Sequence, residues 1–297
     1  MERILVTGGA GFIGSYVIEN LIRRKFSVVN FQHATECSNK GVDVFHGDIT
    51  DTGSVIEAVG LSDGVIHLAG VLGTSQMDNP SIPVDVNVMG SLNVFEACRM
   101  HRKKAVCISV GNYWMNNPYA ITKNAAERFA FMYNRELSTQ IAVVRAYNVY
   151  GPRQKMKPVR KIIPNFIVPS LLNRDIAVFG SGKQLVDMIF VEDAADILVR
   201  ALVQDHGVYD SAIEAGSGIG VTVNQIAEAV VRRIGAPSAI EHSKMRPGEE
   251  SDSRVVADIR TLEPLGMNRE SLVTLENGLD VTIRWYRDNL DAVLKGG

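Results

Sequence analysis

The chain has 297 residues, 46% of them hydrophobic and 22% charged, with a formal net charge of −2. That length admits one large domain or two unequal ones with a substantial core, and the near-neutral balance argues against a general nucleic-acid or membrane-surface binder, which carries a basic excess. The three scattered cysteines, Cys37, Cys98 and Cys107, fit a reducing cytoplasm, and neither a signal peptide nor a membrane-length apolar run is expected.

The first element is the apolar run Arg3-Ile4-Leu5-Val6-Thr7, which reads as a buried parallel strand. Gly8-Gly9-Ala10-Gly11-Phe12-Ile13-Gly14 follows, and Ser15 to Ile22 has helical periodicity. Glycines at 8, 11 and 14 remove side chains between the backbone and a pyrophosphate, which then rests on the N–H groups around Phe12, Ile13 and Gly14 at the positive end of the helix. Strand, glycine turn and helix in that order point to dinucleotide binding.

Further strands are expected at Ser27–Phe31, Val42–Phe45, Gly64–Ala69, Lys104–Ser109 and Gln140–Arg145, with helices at Ser54–Val59 and near 83–101 and 119–137. This alternation predicts an α/β fold, a doubly wound parallel sheet of Rossmann-like type. Beyond Gly151-Pro152 the texture is mixed. Helices are expected near 162–173, 193–204, 222–234 and 275–291, with a short strand at Ile176–Phe179. The expected organisation is therefore a dinucleotide-binding domain over 1–150, with a return of the chain near 184–212, and a smaller mixed α/β substrate domain over 151–297 that covers the carboxyl edge of the sheet.

Tyr119 and Lys123 lie four residues apart at the start of a helix, so phenol and ammonium share one face. A cation beside a tyrosine, together with an oxidised nicotinamide, favours the phenolate and makes a general base. Ser109 ends the preceding strand, where its hydroxyl can bond the same substrate oxygen. His67, inside an apolar strand, reads as a structural histidine. The acidic residues and histidines show no metal-ligand spacing, and no metal is expected.

With these residues the chain resembles the extended short-chain dehydrogenase/reductase family, in its nucleotide-sugar epimerase and dehydratase branch. The resemblance rests on Thr7 to Gly14, Gly47-Asp48-Ile49, His67-Leu68-Ala69-Gly70, Asn87 with Gly90 and Asn93, Tyr119 with Lys123, and Arg145 to Pro152; it continues in Gly180 to Gln184, Asp187 to Asp193 and Arg246 to Glu249. It implies that Asp48 and Ile49 flank the adenine, that Leu68, Ala69, Gly70 and Asn87 line the NAD cofactor, and that Lys123 also binds the nicotinamide ribose. Asn148 and Arg246 are implied to hold the nucleoside diphosphate of a sugar substrate. A homodimer through the helices near 83–101 and 119–137 is implied too.

Family dehydratases are similar but place Asp-Glu directly after the hydroxyl residue, where this chain has Val110-Gly111. Elimination then lacks its acid and base, whereas 4-epimerisation needs only rotation of a ketosugar, so the pattern leans toward a 4-epimerase; a dehydratase, a ketosugar reductase and a non-catalytic dinucleotide-binding regulator are the alternatives. Three departures from the family pattern stand out. Gln32 replaces the usual ribose-binding Asp, with no arginine for a 2′-phosphate, which favours NAD over NADP. The segment Val110–Pro118 is short, and Trp114 and Met115 in it either pack on a sugar or plug the core. Val186 stands where relatives carry a diphosphate-binding arginine; Arg160 and Lys161, in a basic cluster with Lys155 and Lys157, are candidates to replace it.

Overall fold

The computed structural model describes residues 1–33, 35, 37, 39–72, 78–157, 159–250 and 252–295. Seven strands form one parallel sheet: β1 (Arg3–Thr7), β2 (Ser27–Gln32), β3 (Asp43–His46), β4 (Gly64–His67), β5 (Lys104–Val110), β6 (Ile141–Ala146) and, after three strands of the other sheets, Ala212–Ala215. Numbered in chain order, those three are β7 (Asn148–Tyr150), β8 (Ile176–Phe179) and β9 (Leu185–Phe190), so Ala212–Ala215 is β10. The spatial order is β10-β6-β5-β4-β1-β2-β3, with the direction of winding reversing at β1. That reversal places the crevice for a ligand at the carboxyl ends of β1 and β4.

Both faces of the sheet are covered, so its strands read as continuous apolar runs. One face packs Ile4, Val6, Ile66, Val106 and Val144 against the helices Phe12–Arg23 and Val191–Val203; the other packs Leu5, Val29, Val65, Ala105 and Val143 toward Thr52–Gly60, Gly90–His101 and Pro118–Leu137. A separate apolar cluster packs Tyr150 of β7 with Phe166, Ile226, Leu279 and Tyr286 of the helices Ile162–Leu171, Val223–Ile234 and Leu275–Asp288. It leans on β9, which pairs β7 along its second half and β11 (Gly220–Thr222) and β13 (Arg254–Val255) along its first; β8 pairs β12 (Ile240–Ser243) in a small two-stranded sheet.

Several boundaries differ from the sequence expectation. β4 stops at His67: Leu68 N–H still donates to Thr7 O at 3.1 Å and shares Thr7 Oγ1 at 3.2 Å, but the next N–H, that of Ala69, goes to Thr7 Oγ1 at 3.2 Å. The helix near 83–101 opens with a π-helical stretch, Val84–Met89, before the α-helix Gly90–His101. The last helix breaks at Asn289 into Leu275–Asp288 and Leu290–Lys295. No described helix is long and apolar enough to cross a membrane.

Candidate active site

Gly8 adopts φ +73°, and a Cβ there would fall 2.8 Å from Ala69 N; a Cβ on Gly14 would fall 2.2 Å from Gly8 O. Both positions accept only glycine, and the result is a flat turn, closed by Gly11 N–H donating to Gly8 O at 3.0 Å. No side chain caps the helix Phe12–Arg23. The N–H groups of Phe12, Ile13 and Gly14 therefore stand at its positive end without intrahelical partners, as a pyrophosphate requires.

Gln32 ends β2, buried, and its Oε1 accepts from Asn30 Nδ2 at 3.2 Å and Cys37 N at 3.1 Å. Its oxygen is committed inside the protein, and the amide nitrogen is the donor left for a ribose. Asp48 accepts from Thr50 N and Oγ1 at 2.9 and 2.8 Å, which together hold its carboxyl below the usual range. Ile49 is buried, and its carbonyl accepts from Asn93 at 3.0 Å.

Around Leu68–Gly70 the polar groups form a closed network. Thr7 Oγ1 already accepts two N–H groups, so its own proton goes to His67 Nδ1 at 2.7 Å; His67 Nε2–H then donates to Ser91 Oγ at 3.0 Å, and Ser91 Oγ to Asn87 O at 2.6 Å. Burial lowers the His67 pKa to about 3, with the Lys123 charge adding to the effect, so the ring is a neutral structural link. Asn87 is also engaged: Oδ1 accepts from Val71 N at 2.8 Å, and Nδ2 reaches Val71 O at 3.1 Å and Thr122 Oγ1 at 3.0 Å. It shapes the cofactor face by holding Val71 rather than through a free polar atom.

Ser109, Tyr119 and Lys123 are carried by a strand and a helix next to this network. Ser109 is the penultimate residue of β5, which runs one residue past the expected end to Val110, and pairs with Arg145 of β6; Tyr119 and Lys123 lie on the helix Pro118–Leu137, whose start Asn117 caps by accepting Ala120 N–H at 2.9 Å. Lys123 Nζ points at Gly70: it is 3.6 Å from where a Cβ on that glycine would lie. Ser109 Oγ and Lys123 Nζ are buried and have no hydrogen-bond partner among the described residues, although Thr7, His67, Asn87 and Ser91 are engaged. Buried polar groups are rarely left so, and a buried hydroxyl and an ammonium facing Gly70 are groups that a substrate oxygen and a ribose can satisfy. Burial raises the Tyr119 phenol well above its ordinary value and lowers the Lys123 ammonium. Without a cofactor the surroundings therefore favour the protonated phenol; the phenolate is expected only with Lys123 and an oxidised nicotinamide acting together.

The segment before Tyr119 is ordered by its own side chains. Met115 is buried with Val110, Ala120 and Val255, and so plugs the core, while Trp114 is exposed and meets the Tyr113 ring edge-on. Tyr113 lies under Arg145, whose guanidinium carbon is 4.0 Å from the ring centroid. A Cβ on Gly111 would fall 2.8 Å from the Tyr147 ring, and the Tyr147 hydroxyl donates to Glu214 at 2.8 Å.

The expected substrate-binding residues lie in two places. Arg246 pairs with Glu249 (Nε–Oε2 3.0 Å, Nη2–Oε1 2.6 Å), donates to Arg160 O at 3.1 Å, and lies over the Phe179 ring at 5.0 Å. The Arg160 guanidinium is 6.0 Å from the same ring, and Lys161 precedes the helix Ile162–Leu171, its pKa lowered by burial and then by Arg246. Arg160, Lys161 and Arg246 are therefore brought together, whereas Lys155 and Lys157 are exposed. Val186 is buried in β9. Asn148 donates to Asp187 O at 3.1 Å, and the Asp187 carboxylate is buried under Ser217, Gly218 and Ala257. Sequence reasoning missed Phe179, whose signal was a lone aromatic before the Gly180-Ser181-Gly182 turn, and Asn117, whose signal was a cap residue directly before Pro118-Tyr119.

Residues 4–216 match the NAD dependent epimerase/dehydratase family. The chain is similar to a putative UDP-glucose 4-epimerase of Methanocaldococcus jannaschii, at 30% identity over 96% of this chain and 99% of that protein. It also resembles the crystal structure of Thermotoga maritima UDP-glucose 4-epimerase with UDP-glucose (TM-score 0.89, 26% identity, 97% of this chain and 99% of that one). A third similarity is to the Thermus thermophilus UDP-glucose 4-epimerase complex with NAD (TM-score 0.84, 25% identity, 96% and 99%). The chain belongs to the NAD-dependent epimerase/dehydratase family.

Proposed function

We propose that this protein is a nucleotide-sugar 4-epimerase that works through a transient 4-ketosugar. The observation that carries the reading is the set of Ser109, Tyr119 and Lys123, with Ser109 Oγ and Lys123 Nζ buried and without partners among the described residues, Lys123 Nζ toward Gly70, and no carboxyl group directly after Ser109. NAD, when bound, supplies a hydride acceptor and donor and a positive charge that acts on Tyr119 together with Lys123. Phe12, Ile13 and Gly14 N–H groups hold its pyrophosphate, Gln32 and Asp48 with Ile49 its adenosine end, and Leu68, Ala69 and Gly70 its nicotinamide end.

Tyr119, deprotonated beside Lys123, removes the proton of the sugar 4-hydroxyl and later returns it, while Ser109 Oγ–H donates to the same oxygen. Asn148, Arg246, Arg160 and Lys161 bind the nucleoside diphosphate and leave the sugar free to turn over between the two proton transfers. Dehydration also needs an acid and a base at the next carbon. At that place the chain offers the Val110 side chain and the Gly111 backbone, with the Tyr147 ring filling the space of any side chain at 111.

Division of labour follows: residues 1–150, with the return near 184–212, hold NAD, and most of 151–297 holds the substrate. The exposed apolar face with Trp114, Ile121 and Phe129 supports a homodimer, and the unpaired cysteines support a cytoplasmic location. A panel of UDP-, dTDP- and GDP-sugars followed by NMR tests the reading, because an epimer has the mass of its substrate. Retained NAD and equilibration of one C4 pair without added cofactor are expected. Tyr119→Phe is expected to lower turnover by about 100-fold or more; full activity in that variant refutes the mechanism.

A further inference from the structure

Asn117 is only 3% exposed, and its contacts join two parts of the site that lie 131 residues apart. Its Oδ1 accepts Ala120 N–H at 2.9 Å and its backbone carbonyl accepts Ile121 N–H at 3.0 Å, so it sets the first turn of the helix that carries Tyr119 and Lys123. Its Nδ2 donates to Gly248 O at 3.2 Å. Gly248, at φ +76°, belongs to the turn in which Glu249 N–H donates to Arg246 O at 3.3 Å, and the Arg246 side chain is paired with Glu249 over Phe179. One buried amide thus uses its oxygen on the catalytic helix and its nitrogen on the Arg246 turn.

From these contacts we infer that Asn117 is a positioning residue that makes the placement of Tyr119 depend on the Arg246–Glu249 turn. This rests on the nucleotide-sugar reading and deepens it. The first turn of a helix is where its backbone is least restrained, since its N–H groups lack intrahelical partners. Tyr119 sits in that turn, and a cap that is itself tethered removes the remaining freedom. A diphosphate engaging Arg246 acts on the Arg246–Glu249 pair, and the carbonyl of the same turn holds the cap. Occupancy of the nucleotide site is thereby transmitted to the proton-transferring phenol without direct contact between Asn117 and substrate.

Asn117→Ser separates the two bonds. Serine caps a helix about as well as asparagine but is too short to reach Gly248, so the cap stays and the tether goes. With NAD-loaded protein and UDP-glucose as the probe, kcat is expected to fall by about 10-fold or more, as for a slightly misplaced catalytic group. KM and the calorimetric Kd for UDP are expected to change by less than about threefold, since groups that hold the ground state are untouched. NAD content stays at the wild-type value, and the melting temperature falls by only a few degrees, for the one lost hydrogen bond. Asn117→Ala also loses the cap, and its melting temperature falls further.

Wild-type kcat in Asn117→Ser overturns the inference while leaving the epimerase reading intact. A loss confined to KM overturns it too, because Asn117 then serves nucleotide binding alone. If none of UDP, dTDP and GDP binds the wild-type protein, the nucleotide-sugar reading falls and the inference with it.

Discussion

Gly14→Ala and Gly53→Ala form a matched pair, because each glycine lies in the first turn of an α-helix and the same methyl group meets opposite surroundings. Alanine gains up to about 1 kcal/mol over glycine in a helix. At Gly53 the nearest atom to the added Cβ is Asp51 Oδ1 at 3.6 Å, ordinary contact, so the gain is kept. At Gly14 the Cβ would lie 2.2 Å from Gly8 O and 2.7 Å from Gly9 Cα, and backbone cannot rotate aside as a side chain can. Overpacking of that kind costs about 3 kcal/mol, which leaves a net loss of roughly 2 kcal/mol after the helix gain. With an unfolding entropy of about 2.1 cal/mol/K per residue, a chain of this length changes by ~0.6 kcal/mol per degree, so Gly14→Ala melts ~3 °C below wild type and Gly53→Ala ~1 °C above. The displaced turn also moves the N–H groups of Phe12 to Gly14. NAD at 100 times its Kd adds about 2.7 kcal/mol to the wild type and nothing to a variant that cannot hold it, which widens the gap to roughly 7 °C. Differential scanning calorimetry with and without NAD, and cofactor content after acid release, measure both effects. A Gly14→Ala protein that melts at or above wild type and retains a full complement of NAD refutes the steric reading of the turn.

Glu127 is buried and receives Arg145 Nε at 3.1 Å and Nη2 at 2.5 Å, whereas Arg145 reaches Glu214 only at 3.4 Å. Glu127→Gln leaves that guanidinium poorly compensated, at a cost of ~3 kcal/mol and a fall of ~5 °C in melting temperature. Burial pushes the Asp193 carboxyl up to about 6, despite the Val273 N–H it accepts at 2.8 Å, while an unfolded Asp titrates near ~3.9. The native state therefore keeps a proton that the unfolded chain has released, stability declines as pH rises from ~4 to ~6, and Asp193→Asn is expected to gain melting temperature relative to wild type across that window and level off above it. Replacing Arg160 and Lys161 together by alanine is expected to raise KM for the nucleotide sugar about 10-fold with kcat little changed; an unchanged KM removes the pair from the site.

The features legible in the sequence were those that short stretches of chain determine. Strand, glycine turn and helix in the first 23 residues need no distant partner to be recognised, and the four-residue spacing of Tyr119 and Lys123 follows from helix geometry alone. β10 was not legible as a strand: Ala212-Ile213-Glu214-Ala215 has little strand propensity, and its parallel pairing with β6 makes it one. The bidentate hold of Glu127 on Arg145 and the meeting of Arg160 with Arg246 over Phe179 span sequence separations that periodicity does not encode. His67 was read as structural because an ionisable ring inside an apolar strand needs partners, but which partners only the fold decides.

Those partners explain why the site keeps its unpaired groups unpaired. Thr7, at the end of β1, accepts the N–H groups of Leu68 and Ala69 and donates a hydrogen bond to His67; the chain of bonds runs on through Ser91 and Asn87 to Val71 and to Thr122, whose hydroxyl donates to Pro118 O at 2.7 Å. The glycine turn that reads as the cofactor cradle and the helix that carries Tyr119 are thereby joined through buried, mutually satisfied groups. Lys123, one residue beyond Thr122, cannot join that network, because Thr7, His67, Ser91 and Asn87 already have their bonds among themselves. Its ammonium is left facing Gly70, where the absence of a side chain leaves room for a ribose or a nicotinamide ring. Filling that room from within, as Gly70→Ala would with a Cβ 2.9 Å from Asn87 Oδ1, disturbs both the hold on Val71 and the space before Lys123.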